Sequence, residues 1–193
     1  MKFVAASALL IAAQALSANA HSADFLKAEV KPVEIRAGGE LTGCGLEYSG
    51  VFLDHIYRSG ELSGVSGTIN IMKVGKGGVG LFFKMGLVDW TDPELNKGAL
   101  AKIDKAYVRS GNEFAPDKSV PCDNPNGFCG GSDGDATMKF FTSAMQNKIQ
   151  IGLNRVPKGM DILLTLPEPP PPDDVKFLEC TIELLDALVS TGR

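Results

Sequence analysis

Apolar and polar residues alternate with period two through much of this chain, in short segments set apart by Gly, Ser, Pro and Asn. That is the pattern of antiparallel strands with one buried face. In Phe177–Leu185, Leu178, Cys180, Ile182 and Leu184 fall on one side and Glu179, Thr181 and Glu183 on the other, which predicts a last strand with Cys180 pointing inward. Val65, Gly67, Ile69 and Ile71 form an inner face opposite Ser66, Thr68 and Asn70. Val79, Leu81, Phe83, Met85 and Leu87 do the same in Val79–Val88. The glycines of Gly75-Lys76-Gly77-Gly78 tolerate positive φ and join the two segments as a hairpin. Leu41–Tyr48, Ala106–Arg109, Lys148–Asn154 and Asp161–Leu166 are further strands, with turns expected at Ser49-Gly50, Ser59-Gly60, Ser63-Gly64 and Pro157-Lys158-Gly159.

Two stretches break the alternation. Asp92 before Pro93 and Glu94 is an N-cap followed by proline at the first helical position, in a helix that Gly98 ends early. Asp135–Lys148 sets Met138, Phe141 and Met145 three and four residues apart, which predicts a short helix, although Thr137, Phe140 and Thr142 suit a strand equally well. Residues 167–174, with Pro167 and Pro169 to Pro172, form an extended connector at about 3 Å per residue, crossing between two sheets. The predicted fold is mostly β, an antiparallel β-sandwich or jelly-roll-like arrangement with one or two short helices.

The N-terminus changes the picture of where this fold works. Lys2 precedes an apolar run, Phe3–Leu16, and Ser17-Ala18-Asn19-Ala20 places small residues at both positions that a signal peptidase reads. Residues 1–20 are therefore expected to be a cleaved secretory signal, leaving one domain over 21–193, periplasmic or secreted. The run is too short for a membrane span, and no longer one follows. The net charge of −4 becomes −5 on loss of Lys2, and the basic residues are scattered, which argues against nucleic acid as a partner.

All four cysteines, Cys44, Cys122, Cys129 and Cys180, lie in the exported part, and an even number there predicts disulfides. Cys122 pairs most simply with Cys129 across a tight Pro, Asn and Gly loop, which leaves Cys44 for Cys180. The long loop closed by that second bridge is worth about 4 kcal/mol in the chain-entropy picture. It would tie the first strand to the last.

Several short motifs suggest chemistry. Gly75-Lys76-Gly77-Gly78-Val79-Gly80 resembles the opening of the variant phosphate-binding loop of ParA/MinD-type ATPases, but Leu81 and Phe82 follow where that loop needs Lys and then Ser or Thr. Gly130-Gly131-Ser132-Asp133-Gly134 resembles the serine elbow of α/β-hydrolases, yet a Pro, Asn and Gly-rich stretch precedes it and no histidine follows, so a glycine-rich loop is expected. Asp117, Asp123, Asn124, Asn126, Asp133 and Asp135 crowd oxygen donors around the Cys122–Cys129 loop. Asp123, Asn126, Asp133 and Asp135 are the set suited to calcium, and the same residue types are ordinary turn formers.

Cleavage after Ala20 would leave His21 first, its amino group and ring nitrogen able to chelate Cu(II), with His55 and Asp54 as further donors. This resembles the mature N-terminus of lytic polysaccharide monooxygenases and of CopC-like periplasmic copper carriers, which implies a copper carrier or an oxidative enzyme on a β-sandwich. Tyr48, Phe52, Tyr57, Phe82, Phe83 and Trp90 are candidates for a ligand groove, although strand spacing suits them to a core. No acid–base pair and no nucleophile with a base can be assembled from these residues. The function expected is an exported, disulfide-bridged binding protein for a partner protein, a glycan or a small apolar ligand, with no cofactor required. The alternatives are the copper protein and a surface component that assembles through a sheet edge near Val74–Val79.

Overall fold

The computed structural model describes residues 24–75, 77–88, 102–155 and 160–191. In chain order these form β1 (Asp24–Ala37), β2 (Glu40–Asp54), β3 (Glu61–Val74), β4 (Gly78–Val88), β5 (Ile103–Ser110), β6 (Glu113–Ala115), β7 (Lys118–Val120) and β8 (Phe128–Asp133). Then come α1 (Gly134–Ala144), β9 (Ile149–Arg155), β10 (Met160–Thr165) and α2 (Asp173–Thr191). The strands make two antiparallel sheets, one ordered β1-β2-β3-β4-β8-β7 and the other β10-β9-β5-β6. The fold is mostly β and sandwich-like, and neither sheet closes into a barrel.

The hydrophobic pattern decides which way each strand faces. Cys44, Leu46, Tyr48 and Phe52 of β2, Val65, Ile69 and Ile71 of β3, and Leu81, Phe83 and Met85 of β4 are all buried on one face of the larger sheet. Val108 of β5, Ile151 and Leu153 of β9, and Ile162 and Leu164 of β10 join them in a single core. The smaller sheet covers the Phe52 end of that face, where Leu164 lies beside Gly50. At the other end α2 packs on β1, β2 and β3, and the Cys44–Cys180 disulfide fastens it there. Cys122 and Cys129 form the second disulfide. Among the described residues no helix is long and apolar enough to cross a membrane.

Close approach explains two glycines that turn chemistry does not. A Cβ at Gly67 would stand 2.1 Å from the Lys84 carbonyl oxygen and 2.4 Å from the Tyr48 hydroxyl, so Tyr48 occupies the space that glycine leaves. Gly50 likewise makes room for the Phe25 ring, 2.9 Å from where a Cβ would be. Ser49-Gly50 and Ser63-Gly64 are thus interior positions of β2 and β3, contrary to the turns expected there. The Ser59-Gly60 turn is present, with φ of 55° and 91°.

Residues 177–185 differ most from expectation, being helical and part of α2. Apolar residues stand at 177, 178, 180, 182, 184, 185, 188 and 189, so a nine-residue window satisfies alternation while the full segment satisfies only a helical period. Asp173 and Asp174 in the first turn complement the helix dipole. The helix buries Cys180 and Leu184 but leaves Leu178 and Ile182 half exposed. The Cys44–Cys180 bridge consequently joins β2 to a helix instead of joining first strand to last. The proline segment leads from β10 to that helix, and residues 173 and 174 already belong to it.

Strand β1, which was not among those expected, carries the same alternation: Ala28 and Val30 stand between Lys27, Glu29 and Lys31 and then, with the parity reversed after Pro32, Val33 and Ile35 lie either side of Glu34. As an edge strand it tolerates these charges and Pro32, and charge and proline there discourage pairing with another chain. Helix α1 forms where one was expected, on a different face. Thr137, Phe140 and Phe141 are buried, while Met138 and Met145 are exposed. Thr137 sets that face: its hydroxyl donates to the Ser132 carbonyl at 2.8 Å and accepts the Leu81 N–H at 2.9 Å. The segments at 92–98 and 157–159, and Trp90, lie outside the described residues.

Candidate functional site

The outward face of the smaller sheet carries aromatic and hydrogen-bonding side chains in cross-strand register. Ala106 and Val108 of β5 point into the core, so Tyr107 and Arg109 between them point out. Register places Tyr107 opposite Gly152 of β9 and Leu163 of β10, and Arg109 opposite Gln150 and, on β6, Phe114.

Glycine at 152 determines how Tyr107 lies. A Cβ there would be 2.4 to 2.6 Å from three atoms of the phenol, so the ring rests on bare backbone. Phe114, 58% exposed, stands 5.7 Å from Tyr107 by ring centroids, and the Arg109 guanidinium lies 5.8 Å over the Phe114 ring. Arg109 Nε donates to Gln150 Oε1 at 3.1 Å, a second guanidinium nitrogen donates to the same oxygen, and Gln150 Nε2 donates to Thr165 Oγ1 at 3.2 Å. Two rings inclined at 58° and a row of hydrogen-bonded polar groups thus share one face of the sheet. Tyr107 and Phe114 were not among the aromatics singled out from the sequence. The available signal was the outward parity of Tyr107 between Ala106 and Val108, and a phenylalanine in a polar hairpin after Gly111. Of those that were singled out, Tyr48, Phe52 and Phe83 are core, and Phe82 lies on the outer face of the larger sheet.

His21 lies outside the described residues. His55 is exposed in the turn after β2, whereas Asp54 beside it is 2% exposed and fully engaged. Arg155 donates to Asp54 Oδ2 at 2.5 Å and to Oδ1 at 3.1 Å, and the Ile56 and Tyr57 N–H groups donate to Oδ1 at 3.2 and 3.0 Å. Burial pushes the Asp54 carboxyl up, but the Arg155 hydrogen bonds, the two backbone donors and the guanidinium charge outweigh it and hold the group below its usual value. Arg155 also lies 4.1 Å over the Tyr57 ring, whose hydroxyl donates to the Arg155 carbonyl at 2.9 Å. This cluster fastens the end of β2 to the end of β9 and gives the Asp54 carboxylate a structural partner.

The four calcium candidates divide between the two ends of β8. Asp123 and Asn126 precede it, whereas Asp133 ends it and Asp135 follows, the two ends about 17 Å apart at ~3.3 Å per residue. Asp133 is ion-paired with Lys118. No group of three or more His, Cys, Asp or Glu suited to a metal occurs among the described residues. Ser132 sits in a strand that leads into a helix, not in the loop expected, yet it offers no nucleophile: it is buried in β8 and its hydroxyl accepts the Asp117 N–H at 2.9 Å. Gly75 and Gly77 of the phosphate-loop resemblance are positive-φ hairpin residues between β3 and β4, with no helix after them. A shallow depression of about 350 Å³ at the β1–β2 hairpin is lined by Arg36, Glu40, Lys73 and Glu183, and Arg36 is already paired with Glu34 and Glu183.

No protein-family model, no curated protein and no solved structure matches this chain.

Proposed function

We propose that this chain is exported with loss of residues 1–20 and that the domain beginning at His21 is a binding module that recognises glycan on the outer face of its smaller sheet. The observation that carries this reading is the Tyr107 ring resting on Gly152 beside exposed Phe114. A sugar ring presents an apolar C–H face and a rim of hydroxyls. The exposed Phe114 ring, inclined at 58° to Tyr107, offers an aromatic face to the apolar side of a sugar, and Arg109, Gln150 and Thr165 beside it suit the rim, both as donors and as acceptors. A site of this kind is open instead of enclosed and lets a long chain pass across it. The two disulfides accord with an oxidising destination, periplasmic or extracellular.

The test is retention of the exported protein on insoluble chitin, cellulose and peptidoglycan, followed by titration with oligosaccharides of whichever retains it. Phe114→Ala, at an exposed position, leaves the melting temperature nearly unchanged and weakens retention about tenfold, the size expected when one aromatic anchor is removed. Absence of retention on every matrix, or retention indifferent to Phe114→Ala, overturns the reading.

A further inference from the structure

Helix α2 carries two apolar faces, and its packing against the sheet uses one. Phe177, Cys180, Leu184 and Leu188 face the body, and the Cys44–Cys180 disulfide clamps that side to β2. Val175, Leu178, Ile182 and Val189 stand on the other side, exposed at 49%, 49%, 50% and 64%, with Leu185 half-buried between the two faces. Their spacing of three, four and seven places them in one stripe about 21 Å long at 1.5 Å per residue, a heptad seam of the kind that packs against another helix. A continuous apolar stripe on a helix already anchored elsewhere marks a surface that is covered in use.

Charge along the seam selects the occupant. Glu179 and Asp186 flank it two turns apart, and neither has an ion-pair partner among the described residues; Glu183, further round the helix, is within 3.8 Å of Arg36. In an antiparallel pairing of two copies centred between Ile182 and Glu183, Glu179 of one copy would meet Asp186 of the other, which like charge disfavours. We infer that this stripe docks an amphipathic helix with an apolar seam flanked by lysine or arginine. The clamp makes α2 a preorganised platform, so little ordering of this protein opposes binding.

The experiment uses the full exported chain and two synthetic helical peptides with identical Leu and Ile seams, one flanked by Lys and one by Glu, with binding read by fluorescence anisotropy. The lysine peptide binds and the glutamate peptide does not. Ile182→Asp adds negative charge yet weakens the lysine peptide about tenfold, and Glu179→Lys with Asp186→Lys transfers preference to the glutamate peptide. Binding that holds or rises in Ile182→Asp is charge attraction alone and overturns the inference. So does sedimentation showing a dimer that Ile182→Asp dissolves, because the stripe then serves a second copy. A large fall in melting temperature of Ile182→Asp without any peptide also overturns it, since the stripe is then covered by the protein itself.

Discussion

Arg155→Met removes the cation from a buried ion pair while leaving Asp54 in place. In the native protein both Asp54 oxygens receive guanidinium hydrogen bonds, and the two side chains are 1% and 3% exposed. The variant leaves a buried carboxylate with only the Ile56 and Tyr57 N–H donors, and loses the cation–π contact with Tyr57. Truncating one member of such a pair costs about 3–5 kcal/mol, which for a domain of this length lowers the melting temperature by roughly 10 °C. The pH dependence gives the sharper signature. With its folded pKa depressed, Asp54 contributes stability to the native protein that is present above the ordinary carboxylate pKa of 3.8 and is lost as pH falls through the lower folded value. In Arg155→Met burial acts unopposed by the guanidinium and raises that pKa, so the deficit is largest at pH 7 and shrinks as pH approaches about 4, where Asp54 takes up a proton. Urea denaturation of both proteins at pH 7, 5.5 and 4 measures this. Asp54→Asn combined with Arg155→Met keeps an acceptor for the two N–H groups without a charge, and recovers at least about 1 kcal/mol of the single variant's loss at pH 7. A deficit under about 1 kcal/mol, or one that does not change with pH, refutes the argument that this pair holds β2 to β9.

The two disulfides separate by loop length. Cys44→Ala with Cys180→Ala lowers unfolding stability by about 5 kcal/mol and Cys122→Ala with Cys129→Ala by about 2, because the bridged residues are 136 and 7 apart; equal losses in urea titrations would contradict this. Gly67→Ala drives a methyl group into the Lys84 carbonyl and the Tyr48 hydroxyl and destabilises by about 1–3 kcal/mol, while adding Tyr48→Phe relieves only the hydroxyl contact and restores part of the loss, as thermal melts of the two variants will show.

Alternation along the chain determined, with no tertiary information, that the protein is mostly β, which residues of β3 and β4 face inward, and where six of the ten described strands run. Period two is a local property of extended backbone, so a short window suffices to read it. The even number of cysteines is read from the sequence as directly, and the structure forms both of the expected disulfides. What depends on a partner distant in sequence was decided only on folding. Gly50 looks like a turn residue until Phe25 arrives to fill the space beside it, and Asp54 looks like a free ligand until Arg155, 101 residues later, takes both its oxygens. Residues 177–185 fit strand and helix equally well over nine positions, and a helix forms because the longer segment has one face to lay on β2. The Tyr107 and Phe114 platform exists because strand pairing sets a glycine of β9 beneath a ring of β5, a juxtaposition made by register across the sheet and by nothing adjacent along the chain.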